Sequence, residues 1–248
     1  MGNPHLNRSV WHGSSDTVEL RSNNYNSLQR TTIMTQTLTA QDVFRSAYEN
    51  RYTWDQNFPG YQAQVTMKTA DNQYTAQAKV NADLSFEVSG IEDGEAKKAI
   101  QGQLWEMTIH RVKRSFEETH GKNTFAFGEK DQTGAIEILL GGASEGNSYK
   151  VRDNTVCFVN RRIRDKVVNI NTLTTVMTEN GYLSEKYESF YIDPETGEPQ
   201  TAITAFEDKF SNVGGYYILT DRIITTEEDN QPQVTTFSFS DITLFNAN

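Results

Sequence analysis

From Tyr61 to the C-terminus, apolar and polar residues alternate with a period of two, and clusters of turn-forming residues interrupt the alternation at short intervals. Tyr61, Ala63, Val65 and Met67 alternate with Gln62, Gln64, Thr66 and Lys68. Ala70-Asp71-Asn72-Gln73 then closes a hairpin whose return strand carries Tyr74, Ala76, Ala78 and Val80, and residues 84–88 make a third strand. Further strand-like runs fall at 124–129, 135–140, 148–152, 155–160, 167–176, 186–192, 202–210, 216–225 and 234–244. The breaks between them are hairpin chemistry: Gly141-Gly142, Asp153-Asn154, Asn180-Gly181, Asp193-Pro194-Glu195-Thr196-Gly197 and Glu228-Asp229-Asn230-Gln231-Pro232. Strands do not alternate with helices, which excludes a doubly wound parallel sheet.

Two segments depart from that period. Residues 39–52 read as a short amphipathic helix, with Thr39 and Asp42 in capping-box positions and Val43, Phe44, Ala47 and Tyr48 on one face. Residues 91–119 read as one long helix. One of its rows holds Ile100, Leu104, Met107 and Arg111, the next holds Trp105, Ile109, Val112 and Phe116, and Gly121 stands at the C′ position. The expected fold class is α+β: a large curved antiparallel sheet, half-barrel or open barrel, of about ten strands packed with two helices.

Composition explains how so polar a chain folds. Only 36% of its 248 residues are hydrophobic, because one sheet face meets water, yet 13 Phe, 11 Tyr and 3 Trp supply large units of burial. Residues 1–33 are rich in Asn, Ser, Thr and Arg without either period and read as a disordered tail; residues 34–248 read as a single domain. The net charge is −10, and three arginines against two acids in the tail leave −11 on the remainder. Such acidity disfavours nucleic acid, whose phosphates are neutralised by Lys and Arg. One cysteine, Cys157, excludes an internal disulfide framework and a cysteine-rich metal site. No apolar run reaches the roughly 18 residues that span a bilayer, and no apolar segment follows the first basic residues as a secretory signal requires. The expectation is a cytoplasmic protein that does not span a membrane.

Candidate chemistry fails on context. Gly142-Ala143-Ser144-Glu145-Gly146 fits a nucleophile elbow, but a strand rather than a helix follows it, and His5, His12, His110 and His120 all precede Ser144. The overlapping near-match to a phosphate-binding loop has Asn147 where lysine is needed. Glu106 and His110 lie four apart on the long helix without a third metal ligand, among Arg111, Lys113 and Arg114. Glu117-Glu118 and Glu227-Glu228-Asp229 sit where helix ends and hairpin tips carry charge. No catalytic residue, metal or cofactor is assigned. Two features remain as candidate ligand-binding elements. Residues 161–166, Arg-Arg-Ile-Arg-Asp-Lys, form the one dense basic run; if extended, it aligns Arg162, Arg164 and Lys166 to hold a phosphate, carboxylate or lipid headgroup. Trp54, Phe58, Tyr61 and Tyr216-Tyr217 are aromatics beside turns that either rim a pocket or close the core.

The run from Trp54 to Tyr61 (WDQNFPGY), the segment Phe190-Tyr191-Ile192-Asp193 with Thr196-Gly197, and Val213-Gly214-Gly215-Tyr216 leading to Arg222 resemble the domain of unknown function 3386 family, known mainly from cyanobacteria. The resemblance covers residues 38–245 and implies no activity. More distantly, a helix, a curling antiparallel sheet and a final strand pair ending in residues 236–242 (TFSFSDI) are similar to the lipoprotein-carrier group, whose half-barrel binds acyl chains; those carriers are exported, and this chain has no visible signal. The functional expectation is a non-enzymatic binding or carrier protein for an apolar or amphipathic small molecule, a lipid or pigment, in the concave sheet face. Arg162, Arg164, Lys166, Trp54, Tyr61 and Tyr216 would contact it. The alternative is a protein-interaction or assembly factor acting through its aromatic-rich segment.

Overall fold

The computed structural model describes residues 37–228 and 231–246, so the expected tail over residues 1–33 and part of the Glu227-Glu228-Asp229 run lie outside them. Helix α1 (Ala40–Glu49) starts where the sequence signals it. Thr39 Oγ1 accepts from the Asp42 N–H at 3.1 Å, and the Asp42 carboxylate accepts from the Thr39 N–H at 3.0 Å, so aspartate completes a box usually closed by Glu or Gln. Strands β1 (Gly60–Lys68), β2 (Gln73–Asn81) and β3 (Phe86–Ser89) follow as two hairpins. Helix α2 (Gly94–Arg111) opens on Asp93, whose side chain accepts from the Glu95 and Ala96 N–H groups.

The single long helix expected over 91–119 is broken. Val112 turns to ψ 124°, and a separate helix α3 (Phe116–His120) begins at Ser115, which forms its own capping box with Glu118. Ser115-x-x-Glu118 is a helix-start signature inside the apolar stripe, and it outweighs continuation of the period. Gly121 ends α3 in right-handed conformation (φ −62°) rather than the left-handed one expected of a C′ glycine. Glycine is needed there because an added Cβ would lie 2.5 Å from the Glu117 carbonyl oxygen.

The remaining strands are β4 (Asn123–Lys130), β5 (Ile136–Gly142), β6 (Ser148–Arg152), β7 (Thr155–Ile163), β8 (Lys166–Thr178), β9 (Gly181–Ile192), β10 (Thr204–Val213), β11 (Tyr216–Glu228) and β12 (Gln231–Leu244). All twelve described strands form one antiparallel sheet in the order β3-β2-β1-β12-β11-β10-β9-β8-β7-β6-β5-β4. It is an open α+β sheet with three helices among the described residues, against the expected two helices and about ten strands. Every link from β4 to β12 is a neighbour-to-neighbour hairpin. Ahead of them the α2–α3 segment carries the chain from one edge, β3, to the other, β4. Register shifts in β1, β4, β6, β8 and β10 bend the sheet.

Both long helices pack on one face, and the apolar core is divided accordingly. At one end α2 lies on β1, β2 and β3, over a cluster including Tyr61, Val65, Ile100, Leu104 and Phe237. At the other end α1 lies on β4, β6 and β7, over Phe44, Tyr48, Phe116, Ile138 and Tyr149. No described helix is long and apolar enough to cross a membrane.

Candidate functional site

Between the two clusters lies a strip of inner sheet face on β7–β11 that is neither fully buried nor apolar throughout. Antiparallel register fixes which side chains share it: Val159 opposes Ile170, Thr172 opposes Tyr187, Tyr187 opposes Phe206, and Phe206 opposes Ile224. Val159 packs against the α1 cluster and Ile224 against the α2 cluster, while both remain half-exposed. The Tyr187 and Phe206 rings stack with centroids 4.6 Å apart and planes 5° from parallel. One end of the strip is closed by the chain after α1. Tyr52 N–H donates to the Tyr182 carbonyl, Trp54 N–H to the Arg111 carbonyl, and Trp54 Nε1 to the Tyr217 carbonyl at 3.3 Å. This strap ties β9, α2 and β11 together.

Polar groups come from five segments, β11, β10, α2, the strap and β7. Arg222 on β11 is buried against Asp208 on β10, with Nε to Oδ1 at 2.7 Å and Nη2 to Oδ2 at 2.6 Å; its Nη1 donates to Gln103 Oε1 at 2.9 Å and Glu106 Oε2 at 3.0 Å of α2. Burial alone would lower the Arg222 pKa, but the Asp208 hydrogen bonds and the surrounding negative groups hold it above its usual range. Arg111, at the last turn of α2, faces the Tyr52 ring at 6.0 Å and the Phe210 ring at 5.4 Å, and burial lowers its guanidinium to about 10. Arg51 on the strap lies over the Tyr48 ring at 3.8 Å, its Nε donating to the Tyr48 carbonyl. Arg161 on β7 opposes Val168 and shares the inner face with Val159.

His110 stands in the last turn of α2. Loss of surrounding water, followed by the fields of Arg111, Arg51, Arg222 and Arg161, lowers its pKa to about 4. The Arg51 and Arg161 charges also lower the His120 pKa, after burial, while burial raises that of the Tyr149 hydroxyl against them. Glu106 is pulled two ways, with burial raising its pKa and Arg222 lowering it, and the net shift is upward. No set of three metal-ligating side chains occurs among the described residues. Ser144 lies in the β5–β6 turn, where its carbonyl accepts from the Asn147 N–H, so the elbow-like motif forms a hairpin connection.

The basic run does not align as expected. Arg164 adopts φ 59° and, with Asp165, forms the two-residue turn joining Ile163 to Lys166, so the segment folds back on itself. Arg162 falls on the face opposite Arg161, and Lys166 on the inner face at the far end of the strip, 5.6 Å from the Tyr191 ring centroid. Trp54 (3% exposed), Phe58 (2%) and Tyr61 (0%) are core residues; Trp54 stacks on Phe58 at 4.0 Å, and the Tyr61 hydroxyl points to Met107 Sδ. Tyr216 is half-buried and donates its hydroxyl to Asp55 Oδ1 at 3.1 Å. An aromatic contact surface at 54–61 therefore has none of these three rings to offer.

Residues 35–245 match a family model described as "Protein of unknown function (DUF3386)". The chain belongs to that family. No curated protein matches the DUF3386 chain. Among solved structures it is similar to a LolA superfamily protein from Nitrosomonas europaea, at 12% identity and a TM-score of 0.33 over 86% of this chain and 96% of that one. A domain described as an outer membrane lipoprotein-sorting protein, from Vibrio parahaemolyticus, gives 10% identity and 0.32 over 84% and 93%. The Pseudomonas aeruginosa MucA/MucB complex gives 10% and 0.23 over 84% and 99%. At these scores the likenesses say nothing about what the DUF3386 chain binds.

Proposed function

We propose that the protein is a non-enzymatic binding protein that holds the apolar body of a small amphipathic molecule on the inner face of its sheet. The observation that carries this reading is the half-exposed strip of Val159, Ile170, Tyr187, Phe206 and Ile224, which runs between the two core clusters. Withdrawing apolar surface from water is worth about 25 cal/mol for each Å², so apolar side chains left part-exposed between two core clusters favour an apolar guest. The guest lies on the stacked Tyr187–Phe206 pair, with the strap through Tyr52 and Trp54 closing one end.

Titration with the neutral fluorophore N-phenyl-1-naphthylamine tests the reading. Saturable binding with a blue-shifted emission is expected, together with its loss in Ile224→Asp at unchanged circular dichroism. Absence of saturable binding to the wild-type protein would remove the basis of the proposal.

A further inference from the structure

Helix α2 is apolar on both sides. Ile100, Leu104 and Met107 are buried against the sheet. Of the second apolar row read from the sequence, Phe116 leaves with α3 and is buried in the α1 cluster, whereas Trp105 and Ile109 stay across the helix from the core. Trp105 is 55% exposed and Ile109 is half-exposed. Gly102, on the same face before Trp105, has open space where a side chain would stand.

The charge along this face runs against that of the chain. From Lys97 to Arg114 stand Lys97, Lys98, Arg111, Lys113 and Arg114 against one acid, Glu106, in a protein of net charge −10. Glu106 holds Arg222 on the strip side of the helix, and Arg111 lies against the Tyr52 and Phe210 rings. Just past the end of α2, Lys113 and Arg114 are exposed and form no ion pair among the described residues. The acids that follow are committed elsewhere: Glu117 pairs with Arg45, and Glu118 closes the capping box at Ser115. The start of α2 is acidic, with Glu92, Asp93 and Glu95, so the basic part of this face is its C-terminal half.

We propose that Trp105 and Ile109, with Lys113 and Arg114 beside them, dock the C-terminal half of α2 on the surface of a bilayer that contains anionic lipid. Tryptophan settles between headgroups and acyl chains, where its ring leaves water and its N–H stays wet, and the cations meet lipid phosphates. One indole and one isoleucine are too little for a stable protein interface, which buries about 800 Å² on each partner and is depleted in lysine. The same set suffices for reversible attachment to a membrane surface, where aromatic insertion and charge attraction add. This face lies on the far side of α2 from the sheet, so it holds or fails whether or not the inner strip carries a guest.

The test is co-sedimentation of the full chain, at low salt, with vesicles of phosphatidylcholine alone and of equal parts phosphatidylcholine and phosphatidylglycerol. Binding is expected to the anionic vesicles only. Trp105→Ala should weaken it about tenfold at unchanged circular dichroism, the ring being exposed in the folded chain. Lys113→Gln/Arg114→Gln should weaken it about 30-fold, at roughly fivefold for each charge near an anionic surface. Lys68→Gln/Lys79→Gln makes the same change of charge on β1 and β2, at exposed positions on the sheet face away from α2, and should bind as wild type does. No binding to either vesicle, equal binding to both, undiminished binding of Trp105→Ala, or equal losses in the two double variants each overturns the proposal. Pelleting without vesicles shows self-association in its place and overturns it as well.

Discussion

Replacing Asp208 by Asn isolates what the buried ion pair does for the fold. The Arg222 and Asp208 side chains are 7% and 4% exposed, and their two hydrogen bonds at 2.6 and 2.7 Å are the shortest in the strip. Asparagine keeps the shape but removes the charge, and it turns one N–H group of its amide toward a guanidinium that can only donate. Removing one partner of a buried pair costs about 3–5 kcal/mol; because Glu106, 41% exposed, still holds Nη1, we expect the lower end, about 3 kcal/mol. For a domain of this size that corresponds to a fall in Tm of about 6–12 °C. The double variant Asp208→Leu/Arg222→Met removes both charges, and Gln103 and Glu106 can then turn to water; it should lie within about 1 kcal/mol of wild type, since well-packed apolar replacements of buried pairs are close to neutral. Urea denaturation followed by tryptophan fluorescence reads all the variants, with Trp54 in the core as reporter. If Asp208→Asn loses less than about 1 kcal/mol, or the double variant loses as much as Asp208→Leu and Arg222→Met made singly and summed, the two side chains do not act as a buried, mutually dependent pair.

Three further outcomes follow from other parts of the molecule. His120 is buried among Phe44, Tyr48, Phe116 and Tyr149, and burial lowers its pKa to about 4 from the ordinary histidine value of about 6.5, so the unfolded chain binds the proton first; stability present above pH 6.5 is lost as pH falls toward 4, by roughly 3 kcal/mol, and urea midpoints of His120→Phe should show a flatter decline over that window. Ser115→Ala removes the cap of α3 and should cost about 1 kcal/mol in urea denaturation, with no loss indicating that the α2–α3 break does not depend on the cap. Gly60 sits at φ +84° against the Val80 carbonyl, so Gly60→Ala should destabilise by about 1–2 kcal/mol or more, and an unchanged Tm would show that the β1 entry relaxes freely.

The strands were legible because each is a local event. Alternation fixes the buried face, and turn pairs such as Asp153-Asn154, both at positive φ, fix where the chain reverses. The site was legible only in fragments. Arg111 stood out as a charge on the row of Ile100, Leu104 and Met107, and Asp208 and Arg222 occupy inward positions between Phe206 and Phe210 and before Ile224. Each breaks its local period, which is the one signal that could have found them. Their convergence depends on pairing across β10 and β11 and on where α2 crosses the sheet, and neither is contained in a local window. The basic run at 161–166 misled for the opposite reason: a short dense cluster draws the eye, but a turn at Arg164 splits it between faces.

The break after α2 is what makes the crossing useful. In an uninterrupted helix the Ser115 N–H would donate to the Arg111 carbonyl four residues back. Instead the Glu118 side chain takes the Ser115 N–H, and the Arg111 carbonyl accepts from the Trp54 N–H at 2.9 Å. That exchange joins the end of α2 to the strap, beside which Val112 and Trp54 make a single parallel bridge. The strap is in turn pinned to β9 through Tyr182 and to β11 through Tyr217, so Arg51 and Arg111 are carried by two segments that cannot move independently. A capping box that looks like a minor irregularity in a helix thereby frees the carbonyl that ties α2 to the strap. Loosening it with Ser115→Ala should therefore speed hydrogen exchange at the Trp54 amide as well as at α3, and exchange at Trp54 unchanged from wild type would show that the strap does not depend on the break.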